Sequence, residues 1–223
     1  DIDKLMVRTQ NRPLVTGALT PRAAMIFAIA LEFVAFLVLW AGANLLAAVL
    51  AVSATLFYVF VYSLWLKRTS KQNIVIGGAA GAMPVLVGWA AVTNSLGWAP
   101  VVLFVVIFLW TPPHFWALAI RHADDYKAAG VPMMPVVVSL ERTVRSMTTY
   151  AVLLTLSTLV LVPVAELGWI YGITALVFGV AFVIGSVRLG SDPSPKRSMR
   201  LFTFSITYVT AIFVALTVDV LLR

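Results

Sequence analysis

Seven uninterrupted apolar runs fill most of this chain, at about 23–40, 43–66, 74–92, 99–120, 145–165, 168–188 and 201–221. Each is close to the ~20 residues that a helix needs to cross ~30 Å of hydrocarbon. Inside a bilayer no water satisfies the backbone, so a spanning segment must be a helix or belong to a closed barrel. Barrel strands alternate apolar and polar residues, whereas these runs are continuous. The expected fold is therefore all-α, a polytopic membrane helix bundle. Only 11% of residues are charged, and the mean hydropathy is +1.00. Soluble domains carry roughly 25% charged residues, so a soluble globular fold is excluded. Cysteine is absent, which removes disulfides, thiolate nucleophiles and thiolate-bound metals.

The connections between the runs alternate in character. Lys4, Arg8, Arg12 and Arg22, then Lys67, Arg68 and Lys71, then Arg121, Lys127, Arg142 and Arg145, then Arg188, Lys196, Arg197 and Arg200 all fall on one side. These are fifteen of the sixteen Lys and Arg residues; the opposite connections hold none, and only the terminal Arg223 joins them. By the positive-inside rule the charged loops are cytoplasmic or matrix-side. The net charge of +7 is thus explained by topology, with no need for a nucleic-acid partner. Compact loops favour the bacterial plasma membrane over the mitochondrial inner membrane. All the dense polar sequence sits at one face, which suits an enzyme working from the inner leaflet.

Three stretches carry the groups for chemistry. The first, DIDKLMVRTQNRP, offers Asp1 and Asp3 as hard oxygen ligands, with Arg8 and Arg12 as bidentate partners for phosphate. Mg²⁺ commonly binds through one or two carboxylates together with substrate phosphates. The second runs from Tyr62 to Asn73, where Lys67, Arg68 and Lys71 place three cations within five residues. Gly77, Gly78, Gly81 and Gly88 follow, and small residues let helices approach closely. The third is WTPPHFWALAIRHADDYKAAGVPMMPV, residues 110–136. Pro112-Pro113 is expected to kink or break the span. On a continuing helix His114 and Arg121 share a face, and Arg121 and Asp125 are neighbours. His114 reads as a haem ligand, a general base or a satisfied buried histidine. Gly130, Pro132 and Pro135 point to a structured cap. Glu32, at bilayer depth, faces either a cavity or a neighbouring helix. Phe57, Tyr58, Phe115 and Trp116 are candidates to line an apolar path.

These three stretches, in this order and spacing, resemble the UbiA superfamily of intramembrane prenyltransferases, and within it the haem-farnesylating branch. The resemblance covers essentially the whole chain. It implies a nine-helix bundle of which seven spans are present, with two further helices expected before residue 1. Asp3 looks like the last aspartate of the family's Asn-x-x-x-Asp-x-x-x-Asp motif. A single domain over 1–223 that begins inside that motif is expected to be inactive by itself. The family's second motif, Asp-x-x-x-Asp, is changed: Asp125 matches its second aspartate and Arg121 stands at its first. His114 stands where quinone-type relatives often carry an acid. Tyr62 with Lys67 resembles the family's diphosphate element.

The resemblance implies transfer of a farnesyl group from farnesyl diphosphate to a vinyl group of protohaem IX, with Mg²⁺ as cofactor. Asp3 and Asp125 would be metal ligands, and Asp3, Lys67, Arg121 and Asp125 the catalytic set. Arg8, Arg12, Tyr62, Arg68, Lys71, His114, Asp124, Tyr126 and Lys127 fall to substrate binding. Membrane lipid and a haem A synthase receiving the product are the implied partners. Two rivals lie in other classes. A secondary transporter needs a second broken span to match Pro112-Pro113, and none is present in the sequence. A haem-binding chaperone would need a histidine but not Asp3, Lys67 or Asp125. Within the class, the rival is a prenyltransferase with an aromatic acceptor.

Overall fold

The computed structural model describes residues 2–7, 9–192 and 194–222; Asp1, Arg8 and Arg223, assigned above from sequence, lie outside them. Seven helices are long and apolar enough to cross a membrane: α1 Pro21–Gly42, α2 Leu45–Thr69, α3 Asn73–Thr93, α4 Trp98–Arg121, α5 Leu140–Val164, α6 Trp169–Ser191 and α7 Pro195–Leu221. They match the seven apolar runs, with the charged ends of several extended outward by a few residues. Side chains fix many of the starts. Thr20 accepts from the Ala23 amide, Asn44 from Ala47 and Ser139 from Arg142, each satisfying a donor that a helix N-terminus leaves open. Asn44 also donates to the Ala90 carbonyl at 2.6 Å, tying the start of α2 to the end of α3.

Helices α4, α5, α6 and α7 close on one another in a ring of neighbours, and α3, α2 and α1 extend from α4 as an arc. The main core lies among the four closed helices, around Met147, Leu154, Tyr171, Phe182, Tyr208 and Ile212. In lipid, helix association relies on close packing and interhelical hydrogen bonds. Both are present here. Thr158 donates to the Leu154 carbonyl at 2.6 Å, so its oxygen accepts from the Tyr208 hydroxyl at 2.6 Å, and Tyr171 donates to the Thr158 carbonyl. At the opposite end of the bundle Asp219 of α7, 3% exposed, accepts from the amides of Gly168 and Tyr171 at the start of α6. A residue left without a role from sequence is thus an N-cap supplied across two helices.

Two local features depart from expectation. The Pro112-Pro113 pair does not break α4, which runs unbroken from Trp98 to Arg121. Proline's fixed φ is already helical, while the pair deletes two adjacent ladder bonds and crowds the carbonyls one turn back. Thr111, Pro112, Pro113 and His114 are all buried, and packing against neighbours holds the segment in place of the missing bonds. In α2, by contrast, Phe57–Leu66 is wound as a π-helix. Such widened turns are frequent at functional sites, and no residue in this stretch announces one.

Candidate functional site

The π-helical stretch of α2 connects two clefts. The apolar one, about 470 Å³, lies within the span between α2, α3 and α4. Tyr58, Tyr62, Gly81, Trp110, Thr111 and Phe115 are among its walls. Its shape depends on small residues. A side chain at Gly77 would run into the Tyr62 ring, and one at Gly78 would meet Thr111 at 3.0 Å. The Tyr58 and Tyr62 rings are 5.4 Å apart. Of the other aromatics expected along this path, Phe57 is not among its walls and Trp116 is 1% exposed, packed edge-on to Tyr150 of α5 at 5.6 Å. The wheel position of Trp116 turns it into the core instead.

The second cleft, about 500 Å³, lies at the charged end of α2 and carries Asp3, Lys4, Ser63, Lys67 and Arg68 on its walls. Asp3 sits on a short 3₁₀ turn, Ile2–Leu5. The Thr9 hydroxyl holds the turn by donating to the Asp3 carbonyl at 2.8 Å, and Arg12 donates to one Asp3 carboxylate oxygen at 2.7 Å. The Asp3 side chain is 30% exposed and that of Arg12 53%, so this ion pair contributes at most ~1 kcal/mol and is readily exchanged for a ligand. Lys67 is half-buried and Arg68 exposed. Lys71 is exposed on the turn into α3 and does not line the cleft.

The third polar stretch folds differently from its reading as one helix. The chain leaves the helix at His122 (φ −112°, ψ 27°) and restarts as Ala123–Ala128. Arg121 and Asp125 therefore lie on separate helices and form no ion pair among the described residues; the side chain beside Asp125 is the imidazole of His122, at 3.6 Å. Arg121, Asp124 and Lys127 are exposed, while Asp125 and Tyr126 are half-buried. The expected cap is present. Gly130 turns at φ +64°, a backbone that favours glycine, and Val131 and Met133 are 2% exposed. A small apolar cluster of Ile74, Ala119, Val131 and Met133 is packed against by both Ile2 and Tyr126. The immediate neighbours of Asp3 and Asp125 thus rest on one cluster, which draws the two acidic loops to the same face.

Among the described residues no group of three or more His, Asp or Glu side chains forms a protein-only metal cage. Two carboxylates on loops that share one apolar cluster suit a cation that takes its remaining oxygens from a diphosphate and water. Glu32 is half-buried on a groove between α1 and α2, beside Phe33, Phe36 and Ser53, away from both clefts.

His114 is 8% exposed. Its ring lies between Trp110 at 4.2 Å and Phe202 at 4.5 Å, both near-parallel. Its Nδ1 is 2.6 Å from the Ser205 hydroxyl oxygen on α7. Ser205 also takes the Trp110 indole N–H on its carbonyl at 2.8 Å. Ser205 was invisible from sequence, being a single hydroxyl within an apolar run.

The family model described as the UbiA prenyltransferase family matches residues 1–213. Over 220 residues the chain is 52% identical to the protoheme IX farnesyltransferase of Gloeobacter violaceus, spanning 98% of this chain and 72% of that one. It is 50% identical over 227 residues to that of Frankia casuarinae, spanning 99% and 78%. Among solved structures, a digeranylgeranylglyceryl phosphate synthase superposes with a TM-score of 0.79 at 18% identity, covering 98% of this chain and 78% of that one; this likeness concerns the fold. Seven apolar helices, two clefts meeting on α2 and a match along nearly the whole sequence lead to one assignment: the chain belongs to the UbiA prenyltransferase family.

Proposed function

We propose that this chain transfers a farnesyl group from farnesyl diphosphate to a vinyl group of protohaem IX at the cytoplasmic face of a bacterial plasma membrane. The observation that carries the reading is the junction of the two clefts. Tyr62 lines the apolar one and the adjacent Ser63 the cationic one. A molecule with a long apolar tail and a diphosphate head fits that junction, and the names of the relatives supply the acceptor.

In this reading Asp3 and Asp125 would hold Mg²⁺, which when bound would supply positive charge to the diphosphate oxygens. Lys67 and Arg68 place fixed positive charge where negative charge develops, a contribution that matters most where water is sparse. Arg12 exchanges its exposed pair with Asp3 for a phosphate oxygen. Tyr58, Trp110 and Phe115 present ring faces to the allylic cation, and the apolar walls keep bulk water from quenching it. The vinyl carbon forms the new C–C bond, water adds its hydroxyl to the other vinyl carbon, a proton is released and diphosphate leaves. The product, left at the inner face, is open to a haem A synthase.

Acceptor choice is the test. Membranes carrying the full-length protein and isotope-labelled farnesyl diphosphate are given either protohaem IX or 4-hydroxybenzoate. Label in the haem and none in the aromatic acid is the expected result; the reverse would overturn this acceptor and leave an aromatic prenyltransferase.

A further inference from the structure

The hydrogen bonds around Ser205 fix the state of His114. A hydroxyl has one hydrogen, and that of Ser205 goes to the Phe202 carbonyl at 2.6 Å. The Ser205 oxygen, 2.6 Å from His114 Nδ1, therefore accepts, and Nδ1 carries the hydrogen. In the uncharged ring this leaves the lone pair on Nε2, which has no hydrogen-bond partner among the described residues. Trp110 and Phe202 cover both faces of the ring, Ser205 meets the Nδ1 edge, Phe115 packs perpendicular to the ring at 5.1 Å, and the residue keeps 8% exposure. A histidine whose Nδ1–H is anchored and whose Nε2 is left open is the arrangement that metal-binding imidazoles adopt.

His114 is not itself among the walls of the apolar cleft, but its position on α4 lies between those of residues that are. At roughly 100° per residue, His114 lies about 40° around α4 from Trp110, while Ile107, Thr111 and Phe115 lie at about 60°, 100° and 140°. All four of these line the cleft, and His114 falls inside their arc. Arg121 lies at about 20° on the same wheel and ~10 Å higher along the helix. It is exposed at the charged end.

We propose that His114 Nε2 is the axial ligand to the iron of the acceptor protohaem, with Ser205 as the residue that orients it. This rests on protohaem being the acceptor. A macrocycle ligated at this depth stands along α4 beside the farnesyl path, its propionates directed up toward Arg121 and a vinyl edge held in apolar surroundings. His122 is the weaker candidate, because it sits in the polar loop with Asp125 at 3.6 Å.

The test is spectroscopic. Purified full-length protein in nanodiscs is loaded with one equivalent of protohaem, reduced, and examined for the iron–histidine stretching line. The line is expected in the wild type and absent in His114→Phe, which keeps a stacked ring but has no nitrogen. It should return in His114→Gly when imidazole is added. Ser205→Ala should keep the line but move it to lower frequency, as Nδ1–H loses its acceptor and the ligand becomes a weaker donor. Thermal melting of each variant separates ligand loss from unfolding. A line that survives His114→Phe, or that disappears only in His122→Ala, overturns the proposal. Farnesyl transfer by the same wild-type sample is followed by mass. Transfer without an iron–histidine line sinks the ligation and leaves the acceptor reading standing. A line lost in His114→Phe, without transfer by the wild type, sinks the acceptor reading and leaves the ligation. No haem bound at all overturns both.

Discussion

Replacing Gly77 by alanine should damage the site through Tyr62. A Cβ built on Gly77 lies 2.8 Å from Tyr62 Cε2 and 2.9 Å from Cγ, with Cδ2 closer still. Ordinary carbon contacts need ~3.5–4.0 Å, so the ring or the helix must move by about 1 Å. The ring has little freedom, being flanked by Tyr58 at 5.4 Å and set on a π-helical turn. Overpacking of this kind costs about 1–3 kcal/mol. A 1 Å misplacement at a reacting centre costs on the order of 100-fold in rate. Gly77→Ala should therefore lower the melting temperature and reduce farnesyl transfer by about two orders of magnitude. Tyr62→Ala removes the clashing ring, so stability should be less than additive in the double variant, with a coupling of roughly 0.5–3 kcal/mol. Both quantities are read from thermal melts and transfer rates of the four proteins in nanodiscs. Wild-type stability and rate in Gly77→Ala would refute the packing argument; additive losses would refute the contact.

Lys67→Ala should reduce kcat/KM for farnesyl diphosphate by about 10²–10³-fold, as expected for a lost donor at a developing charge; steady-state kinetics check this, and an unchanged value would remove Lys67 from the diphosphate site. Asp219→Ala leaves two amides at the start of α6 without their acceptor and should destabilise the bundle by about 2–4 kcal/mol. Transfer at low temperature should stay near wild type, because Asp219 lies at the end remote from the clefts; chemical denaturation and activity, measured side by side, separate the two. Tyr208→Phe removes the donor to Thr158 and should cost only ~0.6–1.7 kcal/mol, the range for interhelical hydrogen bonds in membranes, again visible in denaturation alone.

The seven spans were legible because hydropathy is a property of each run by itself. Polar clusters around Asp3, Lys67 and Asp125 were legible for the same reason. What escaped the sequence depends on partners far along the chain. Ser205 meets His114 across 91 positions and Asp219 meets Gly168 across 51, and no local pattern marks either. The proline pair did not break the helix, because the cost of a break is reckoned for an isolated helix, whereas α4 has neighbours on several sides. The expected Arg121–Asp125 neighbour relation failed at His122, where a turn without glycine or proline ends the helix. The cap over the site was legible from Gly130, Pro132 and Pro135, since each restricts the backbone where it stands.

The most direct measurement of the central claim supplies the full-length protein in membranes with protohaem IX, farnesyl diphosphate and Mg²⁺, and weighs the haem by mass spectrometry. Haem heavier by one farnesyl group and one hydroxyl group is expected in the wild type, absent in Asp125→Ala and absent when EDTA replaces Mg²⁺. Farnesylated haem that persists in either control would contradict the assignment of the acidic loops to metal-assisted loss of diphosphate, and its absence from the wild type would contradict the proposed reaction.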